Sequence, residues 1–166
     1  MKIQIGSLEE GENEIEAVLS AGELGFGDEI SARGPLGVSL SLYRQGKGIE
    51  IHGEARGVLV EECSRCLGPA ERAISVAFTI LADEQRRVPD EEVLQDEDSE
   101  IFFVHYQHGV MELAPMIREA ILLDRPIRTL CSPDCRGLCP RCGANLNLEA
   151  CRCGDRPVPG GKPAAE

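Results

Sequence analysis

Apolar and polar residues alternate most regularly between residues 38 and 80 of the chain. Residues 38–43 read Val-Ser-Leu-Ser-Leu-Tyr, and a period of two is typical of a β-strand with one buried face. A glycine-containing turn at 45–48 leads into a return strand that runs from Ile49 to Val60. Residues 74–80 alternate again and place their apolar side chains on one face. The pattern therefore predicts three consecutive antiparallel strands.

Shorter patterns predict the remaining elements. Further strands are expected at Lys2–Ile5, Glu14–Leu19 and Ile101–Tyr106. A helix should open at Leu113-Ala114-Pro115, because proline suits the first helical turn, and end at Pro126. Its apolar stripe comprises Met116, Ile117, Ala120, Ile121 and Leu122 or Leu123. Together these elements predict an α+β fold in which one helix packs on an antiparallel β-sheet.

Composition predicts how the chain is divided. Residues 83–100 hold nine acidic residues, two arginines and few apolar positions, so burial cannot offset the entropy of ordering them. They predict a mobile acidic loop, with a phosphate-mimicking decoy as the functional alternative. The expected organisation is a sheet-and-helix domain at 1–126 that includes this loop, a cysteine-rich zinc-binding module at 127–156, and a disordered tail at 157–166.

The net charge of −12 restricts the classes of partner. Residues 1–117 carry 9 Lys/Arg and 23 Asp/Glu, whereas residues 118–166 carry 8 Lys/Arg and 6 Asp/Glu. Non-specific binding to nucleic acid needs many basic contacts to phosphate, so any RNA contact should be local and should lie toward the C-terminus. No segment is long and apolar enough to span a bilayer, and the N-terminus lacks the apolar block of a secretory signal, which predicts a cytoplasmic protein without a membrane partner.

The cysteines carry the strongest chemical signal. Cys63 and Cys66 form one pair, and six more cysteines lie between residues 131 and 153. In the reducing cytoplasm, clustered cysteine pairs are metal ligands more often than disulfides. The run Cys139-Pro-Arg-Cys142-Gly143 is typical of a zinc knuckle, in which backbone amides bond back to a thiolate.

Eight cysteines suffice for two Cys₄ sites, which predicts two bound Zn²⁺ ions. The economical partition joins Cys139 and Cys142 to Cys151 and Cys153, and joins Cys63 and Cys66 to Cys131 and Cys135. An alternative places Cys131, Cys135, Cys139 and Cys142 around one ion. An iron–sulfur cluster would also accept thiolates at these spacings.

Catalytic interpretations of the same residues are weaker. Cys63-Ser-Arg-Cys66 has the spacing of thiol–disulfide oxidoreductases, and Arg65 could lower a thiol pKa. Those enzymes place the motif after a strand at the start of a helix, whereas here it joins two predicted strands. No Ser-His-Asp set and no phosphate-binding loop is visible. The sequence therefore predicts a protein that is not an enzyme and has no small-molecule substrate, with the oxidoreductase as an alternative.

Three motifs together resemble the YceD family, the bacterial large ribosomal RNA accumulation proteins. They are Cys63-Ser-Arg-Cys66-Leu67, the helix Leu113-Ala-Pro-Met-Ile-Arg-Glu119 with its continuation to Pro126, and the C-terminal run from Cys135 through Asn147 to Cys151-Arg-Cys153. The resemblance extends from about Val38 to Cys153. It implies a role in ribosome biogenesis through accumulation of large-subunit (23S) rRNA, and it supplies no catalytic residues.

The resemblance also implies a ribosomal RNA precursor or an assembly protein as the partner. The best candidates for phosphate contacts are the arginines interspersed with the cysteines, Arg136, Arg141, Arg152 and Arg156. Alternatively, these arginines pair with acidic groups or offset thiolate charge. A zinc-ribbon module bound to the transcription machinery is a further alternative.

Overall fold

A computed structural model describes residues 1–27, 30–84, 101–106, 108–151 and 153. The predicted tail at 157–166 and residues 85–100 of the predicted acidic loop lie outside these ranges. The chain forms two compact units: unit 1 comprises Met1–Val60 and Arg72–Arg125, and unit 2 comprises Glu61–Glu71 and Pro126–Glu166. Unit 2 thus combines a short internal segment with the cysteine-rich C-terminal segment.

Strands account for most of the regular structure. In chain order the elements are β1 Lys2–Gln4, a 3₁₀ turn Ile5–Ser7, β2 Gly11–Leu19, α1 Ala21–Leu24, β3 Ser31–Ala32, β4 Leu36–Gln45, β5 Gly48–Glu62, β6 Pro69–Glu84, β7 Ile101–Tyr106, β8 Val110–Glu112 and α2 Ala114–Leu123. Among the described residues, no helix has the length and apolar character needed to cross a bilayer.

The main sheet has the strand order β2-β4-β5-β6-β7, and β3 pairs with β5 outside that path. Side chains alternate strictly along β4, where Leu36, Val38, Leu40 and Leu42 are buried and the residues between them are exposed. β4 pairs antiparallel with β2 on one side and with β5 on the other. The three strands predicted between residues 38 and 80 are therefore confirmed, and one face of the sheet lines the core.

Two pairings differ from the prediction. β7 runs parallel to β6, with Thr79 opposite Ile101 and Glu84 opposite Tyr106, so the main sheet is mixed and not wholly antiparallel. A parallel pair requires a long crossover, and residues 85–100 provide that length. β1 pairs antiparallel with β8 in a separate two-stranded sheet. β6 also continues through Asp83 and Glu84, the first two residues of the predicted loop.

Helix α2 follows its predicted pattern. It begins at Ala114 with Pro115 in its first turn, where the missing N–H has no helical partner to lose. Its buried residues are Ala114, Ile117, Ala120 and Ile121, which belong to the hydrophobic core of unit 1. Leu122 packs against that core, whereas Leu123 is 54% exposed. Leu122, and not Leu123, therefore extends the predicted apolar stripe.

Gly53 shows how tightly the sheet packs on its core. It pairs in continuous register with Leu40, so β5 runs past this glycine without a bulge. A methyl group at residue 53 would overlap the ring of Phe78 and the side chain of Leu40. The position therefore requires glycine for lack of space.

Candidate metal centres

Strands β5 and β6 are hydrogen-bonded neighbours joined by residues 63–68, which belong to unit 2. This connection is a tight turn, in which Cys63 N–H donates to the carbonyl of Gly68 at 2.8 Å and Leu67 N–H donates to the carbonyl of Cys63 at 2.9 Å. Leu67 adopts a left-handed backbone conformation with φ of 58°. The turn directs Cys63 and Cys66 inward, and both side chains are buried.

The first cysteine quartet comprises Cys63, Cys66, Cys131 and Cys135, whose Sγ atoms all lie within 4.8 Å of one another. The Sγ atoms of Cys63 and Cys135 are 3.8 Å apart, and those of Cys66 and Cys131 are 3.6 Å apart. Tetrahedral zinc with Zn–S bonds of about 2.3 Å places its sulfurs about 3.8 Å apart. The first quartet therefore has the dimensions of a tetrahedral thiolate site.

Backbone amides support the first quartet. Cys63 Sγ accepts hydrogen bonds from the N–H groups of Cys131, Arg65 and Cys66, and these bonds lower the pKa of Cys63 to about 6. Cys66 Sγ accepts one from the N–H of Gly68. Such donors stabilise thiolate, the form in which cysteine binds metal.

The second cysteine quartet comprises Cys139, Cys142, Cys151 and Cys153, again with all Sγ atoms within 4.8 Å. Cys151 Sγ lies 3.2 Å from Cys139 Sγ and 3.6 Å from Cys142 Sγ. The N–H groups of Cys142 and Arg141 bond back to Cys139 and lower its pKa to about 6. Cys153 N–H donates to Cys151 Sγ at 3.3 Å.

The charge balance within each quartet favours a cation. The thiol of Cys131 donates to the sulfur of Cys135, which raises the pKa of Cys131 to about 12. The thiol of Cys153 likewise donates to the sulfur of Cys142, which raises the pKa of Cys153 to about 12. Sulfurs this close cannot all become thiolates together, because each negative charge disfavours the next. A divalent ion removes that penalty, since it attracts all four thiolates.

The structure thus separates the groupings that the sequence left open. All eight cysteines are free thiols, so none is used in a disulfide. Cys131 and Cys135 lie with Cys63 and Cys66, and not with Cys139 and Cys142. The two quartets are those of the economical partition.

Three residues support the quartets through contacts that were not identified from the sequence. Asn147 Nδ2 donates to Cys135 Sγ at 3.4 Å, and its Oδ1 accepts the N–H of Arg136 at 2.7 Å. Arg65 Nη1 donates to the carbonyl of Cys135 at 2.9 Å. Gly137 has φ of 75° and lies so close to Arg65 that a Cβ would come within 3.0 Å of its carbonyl oxygen. One feature of the sequence could have indicated these supporting residues. The segments between the cysteines are short and contain glycine and asparagine, which are typical of tight turns.

The predicted RNA-binding arginines are only partly described. Arg136 and Arg141 are exposed on unit 2, and each is adjacent in sequence to a cysteine of a quartet. Arg136 follows Cys135, and Arg141 precedes Cys142. Arg152 and Arg156 lie outside the described residues. The structure therefore places two cationic side chains at the surface beside the quartets.

The burial of Cys63 and Cys66 argues against a role in thiol–disulfide exchange. Exchange needs a thiolate that a second molecule can reach. Cys63 is 0% exposed and Cys66 is 7% exposed. The geometry accordingly favours a closed ligand set over a redox-active pair.

Comparison with known proteins identifies the family. The family described as "Large ribosomal RNA subunit accumulation protein YceD" matches residues 51–162. The chain belongs to the YceD family. The matched region contains all eight cysteines and α2, so both quartets are built within the YceD-matching part of the chain.

Individual relatives agree with this assignment. An uncharacterized Mycobacterium bovis protein is 32% identical over 114 residues, which cover 69% of this chain and 53% of that protein. The "Large ribosomal RNA subunit accumulation protein YCED homolog 1, chloroplastic" of Zea mays is 30% identical over 79% of this chain and 53% of its own length, and the Arabidopsis thaliana protein of the same name is 29% identical over 72% and 44%. The chain thus spans about half the length of the curated relatives it matches. No solved structure matches it.

Proposed function

We propose that this chain is a non-catalytic ribosome biogenesis factor that supports accumulation of large-subunit (23S) ribosomal RNA. YceD family membership supports this role, as do the names of the maize and Arabidopsis relatives. The single observation that carries the molecular part of the proposal is the pair of cysteine quartets. The cytoplasmic location expected from the sequence remains a prediction.

Each quartet would hold one Zn²⁺ ion through four cysteine sulfurs. The sulfur spacings and the N–H donors to Cys63 and Cys139 support this assignment. The bound ion would supply charge neutralisation and a fixed geometry. Four protein ligands leave no open coordination position, which is the arrangement of structural zinc and not of catalytic zinc.

The first quartet would give unit 2 its internal connection. Cys63 and Cys135 are 72 residues apart in sequence, and Cys66 and Cys131 are 65 residues apart. The turn at 63–68 also contacts the C-terminal segment through backbone hydrogen bonds, from Ser64 N–H to the carbonyl of Thr129 at 2.9 Å and from Leu138 N–H to the carbonyl of Arg65 at 3.0 Å. A metal ion here would stabilise the arrangement that presents the exposed arginines.

The partner would be a ribosomal RNA precursor or an assembly protein. Arg136 and Arg141 are exposed beside the quartets, where a guanidinium group can contact phosphate oxygens. Arg152 and Arg156 are proposed to act with them. These contacts would be local, because the chain as a whole is acidic.

The test is depletion of the protein from its source cells, followed by gradient analysis of ribosomal particles. We expect fewer mature large subunits and accumulation of large-subunit precursors. Normal levels of mature large subunits after depletion would contradict the proposal. Co-purification with RNA polymerase and not with ribosomal precursors would favour the transcription alternative.

Complementation then separates the contributions. A variant with Arg136→Gln and Arg141→Gln should restore large subunits poorly. A control with Lys2→Gln and Arg118→Gln removes the same charge from exposed positions of unit 1 and should restore them fully. Equal rescue by both variants would mean that Arg136 and Arg141 do not contact the partner.

A further inference from the structure

The face of the main sheet that points away from the core is acidic. The strand register places its side chains in four rows across β2, β4 and β5: Glu12, Tyr43 and Glu50; Glu14, Ser41 and His52; Glu16, Ser39 and Glu54; Val18, Gly37 and Arg56. We call this set the acidic face. Five of its residues are glutamates and one is arginine, so it has a strong negative charge when His52 is neutral.

The negative charge is concentrated on β2. Among the described residues, neither Glu14 nor Glu16 forms an ion pair, and both are exposed. The one arginine is already used, since Arg56 donates to both carboxylate oxygens of Glu54 at 2.6 and 2.7 Å. The hydrogen bonds from Arg56 and Ser75 lower the pKa of Glu54, which keeps that carboxylate charged as well.

Small side chains, Ser39 and Ser41 of β4, form the floor of the acidic face, between the charged residues of β2 and β5. Two shallow hollows of about 450 Å³ and about 370 Å³ lie on it and share Glu16, Ser39 and Glu54. The first continues past Ser41 to Ala77 on β6. Both are open to solvent, whereas a small-molecule pocket encloses most of its ligand. Their shape therefore suits a polymer that lies across several strands.

Apolar groups border the same surface. Val18 is 66% exposed at one end of the face, and Tyr43 is 51% exposed in the row that contains Glu12. Exposed aromatic residues such as tyrosine are enriched at protein interfaces, and a charged surface favours a partner of opposite charge. RNA and anionic lipid would be repelled here, because their phosphates carry the same sign of charge as the glutamates.

We propose that the acidic face binds a polypeptide segment rich in lysine and arginine. Its cationic side chains would pair with Glu14, Glu16 and Glu12, and its backbone or small side chains would lie over Ser39 and Ser41. This inference goes beyond the proposed function and does not depend on metal, because every residue of the face belongs to unit 1.

The test is fluorescence anisotropy of a short fluorescein-labelled peptide in which lysine alternates with threonine, at about 0.15 M salt, where charges beyond about 8 Å are screened. Replacing Glu14 and Glu16 by glutamine should weaken binding at least about fivefold, because two exposed charge pairs are lost. A matched control, Glu9→Gln with Glu119→Gln, removes the same charge from exposed positions outside the face and should change binding less than about twofold. Equal weakening by both pairs would show diffuse attraction and overturn the proposal.

A second variant tests the position without a change of charge. Ser41→Trp adds bulk to the floor and should also weaken peptide binding, and far-UV circular dichroism checks that the sheet is retained. The peptide should shift the NMR signals of Ser39 and Ser41, and a single-stranded RNA of similar length should not. Shifts caused by the RNA, or by neither probe, would overturn the proposal.

Discussion

The sulfur of Cys63 illustrates how a single residue is prepared for its role. It is completely buried and accepts three backbone N–H groups, so its thiolate is stabilised by donors that the turn at 63–68 and the segment at Cys131 hold in place. Cys139 has the same relation to Arg141 and Cys142. Each quartet therefore contains at least one cysteine, Cys63 in the first and Cys139 in the second, that its backbone surroundings stabilise as thiolate.

Substitution of that cysteine should remove one ion and leave the other. We expect two zinc ions per wild-type chain and one in Cys63→Ser, because the second quartet shares no ligand with the first. Cys139→Ser should likewise retain one. Elemental analysis of the purified proteins gives the stoichiometry. Unchanged zinc content in both variants would contradict the assignment of these sulfurs as ligands.

Gly137 offers a test of the contact between the two segments of unit 2. Gly137→Ala should lower the free energy of unfolding by about 2–3 kcal/mol, because alanine is strained at φ of 75° and its Cβ would press on the carbonyl of Arg65. Gly143→Ala is the matched control, since φ is 72° but the surrounding space is open. It should cost only about 1 kcal/mol.

Urea unfolding followed by circular dichroism measures both glycine variants. Equal costs would mean that the backbone conformation alone accounts for Gly137, and that the close approach to Arg65 contributes nothing.

At this scale the sequence predicted the grouping of the cysteines better than the residues that support them. Cysteine is rare, and its spacing reports the metal chemistry directly, so the ligand sets could be proposed from the chain. The N–H donors to Cys63 and the hydrogen bond from Asn147 to Cys135 depend on backbone direction and on distant segments. Such features become visible only when the turns are in place.

Among the elements, β5 and β6 determine most of the architecture. They are the longest strands, of 15 and 16 residues, and the turn between them carries Cys63 and Cys66. β5 fits closely against its neighbours because Gly53 leaves room for the side chains of Phe78 and Leu40. The absence of a side chain at Gly53 therefore allows β5 to lie close to Phe78 of β6 and Leu40 of β4.

Gly53→Ala should destabilise the main sheet by about 1–3 kcal/mol, because the added methyl group has no space and the core must shift. Gly48→Ala is the matched control within β5, since its nearest neighbour is the carbonyl of Gln45 at 3.7 Å, an ordinary contact. It should change stability by about 0.5 kcal/mol or less. Thermal unfolding compares the two, and a Gly53 variant as stable as wild type would refute the close-packing interpretation.

Strands with strict alternation were predictable together with their hairpin neighbours, whereas pairings between strands distant in the chain were not. The buried face of β4 follows from its period of two, because a half-buried strand needs no other information. The pairing of β1 with β8 and the parallel alignment of β7 join residues far apart in the chain. Local periodicity does not encode which distant strand will be the neighbour, or in which direction it runs.

For the whole molecule, metal removal should affect the two units differently. Structural zinc contributes about 10–16 kcal/mol of apparent binding free energy, comparable with the whole stability of a typical domain at about 5–15 kcal/mol. Among the described residues, unit 2 has few buried apolar side chains besides its cysteines, whereas unit 1 has an extensive core. We expect a strong chelator to abolish hydrogen-exchange protection in residues 61–71 and 126–151, while β4 keeps its protection.

Mass spectrometry of peptides from the exchanged protein measures this protection segment by segment. Re-addition of zinc should restore the protection that the chelator removed. Full protection of residues 126–151 in metal-free protein would show that unit 2 folds without an ion, against the proposed role of the quartets.

Because the cysteines of the first quartet lie far apart in sequence, they leave the ribosome at different times. Translation proceeds at about 5–20 residues per second, so Cys66 leaves the ribosome about 3–13 s before Cys131, which lies 65 residues later. Cys139 and Cys151 are 12 residues apart and emerge within about 1–2 s of each other. During its own synthesis, each nascent copy therefore exposes two uncommitted thiols for seconds, in a form open to oxidation or to capture of the wrong ion.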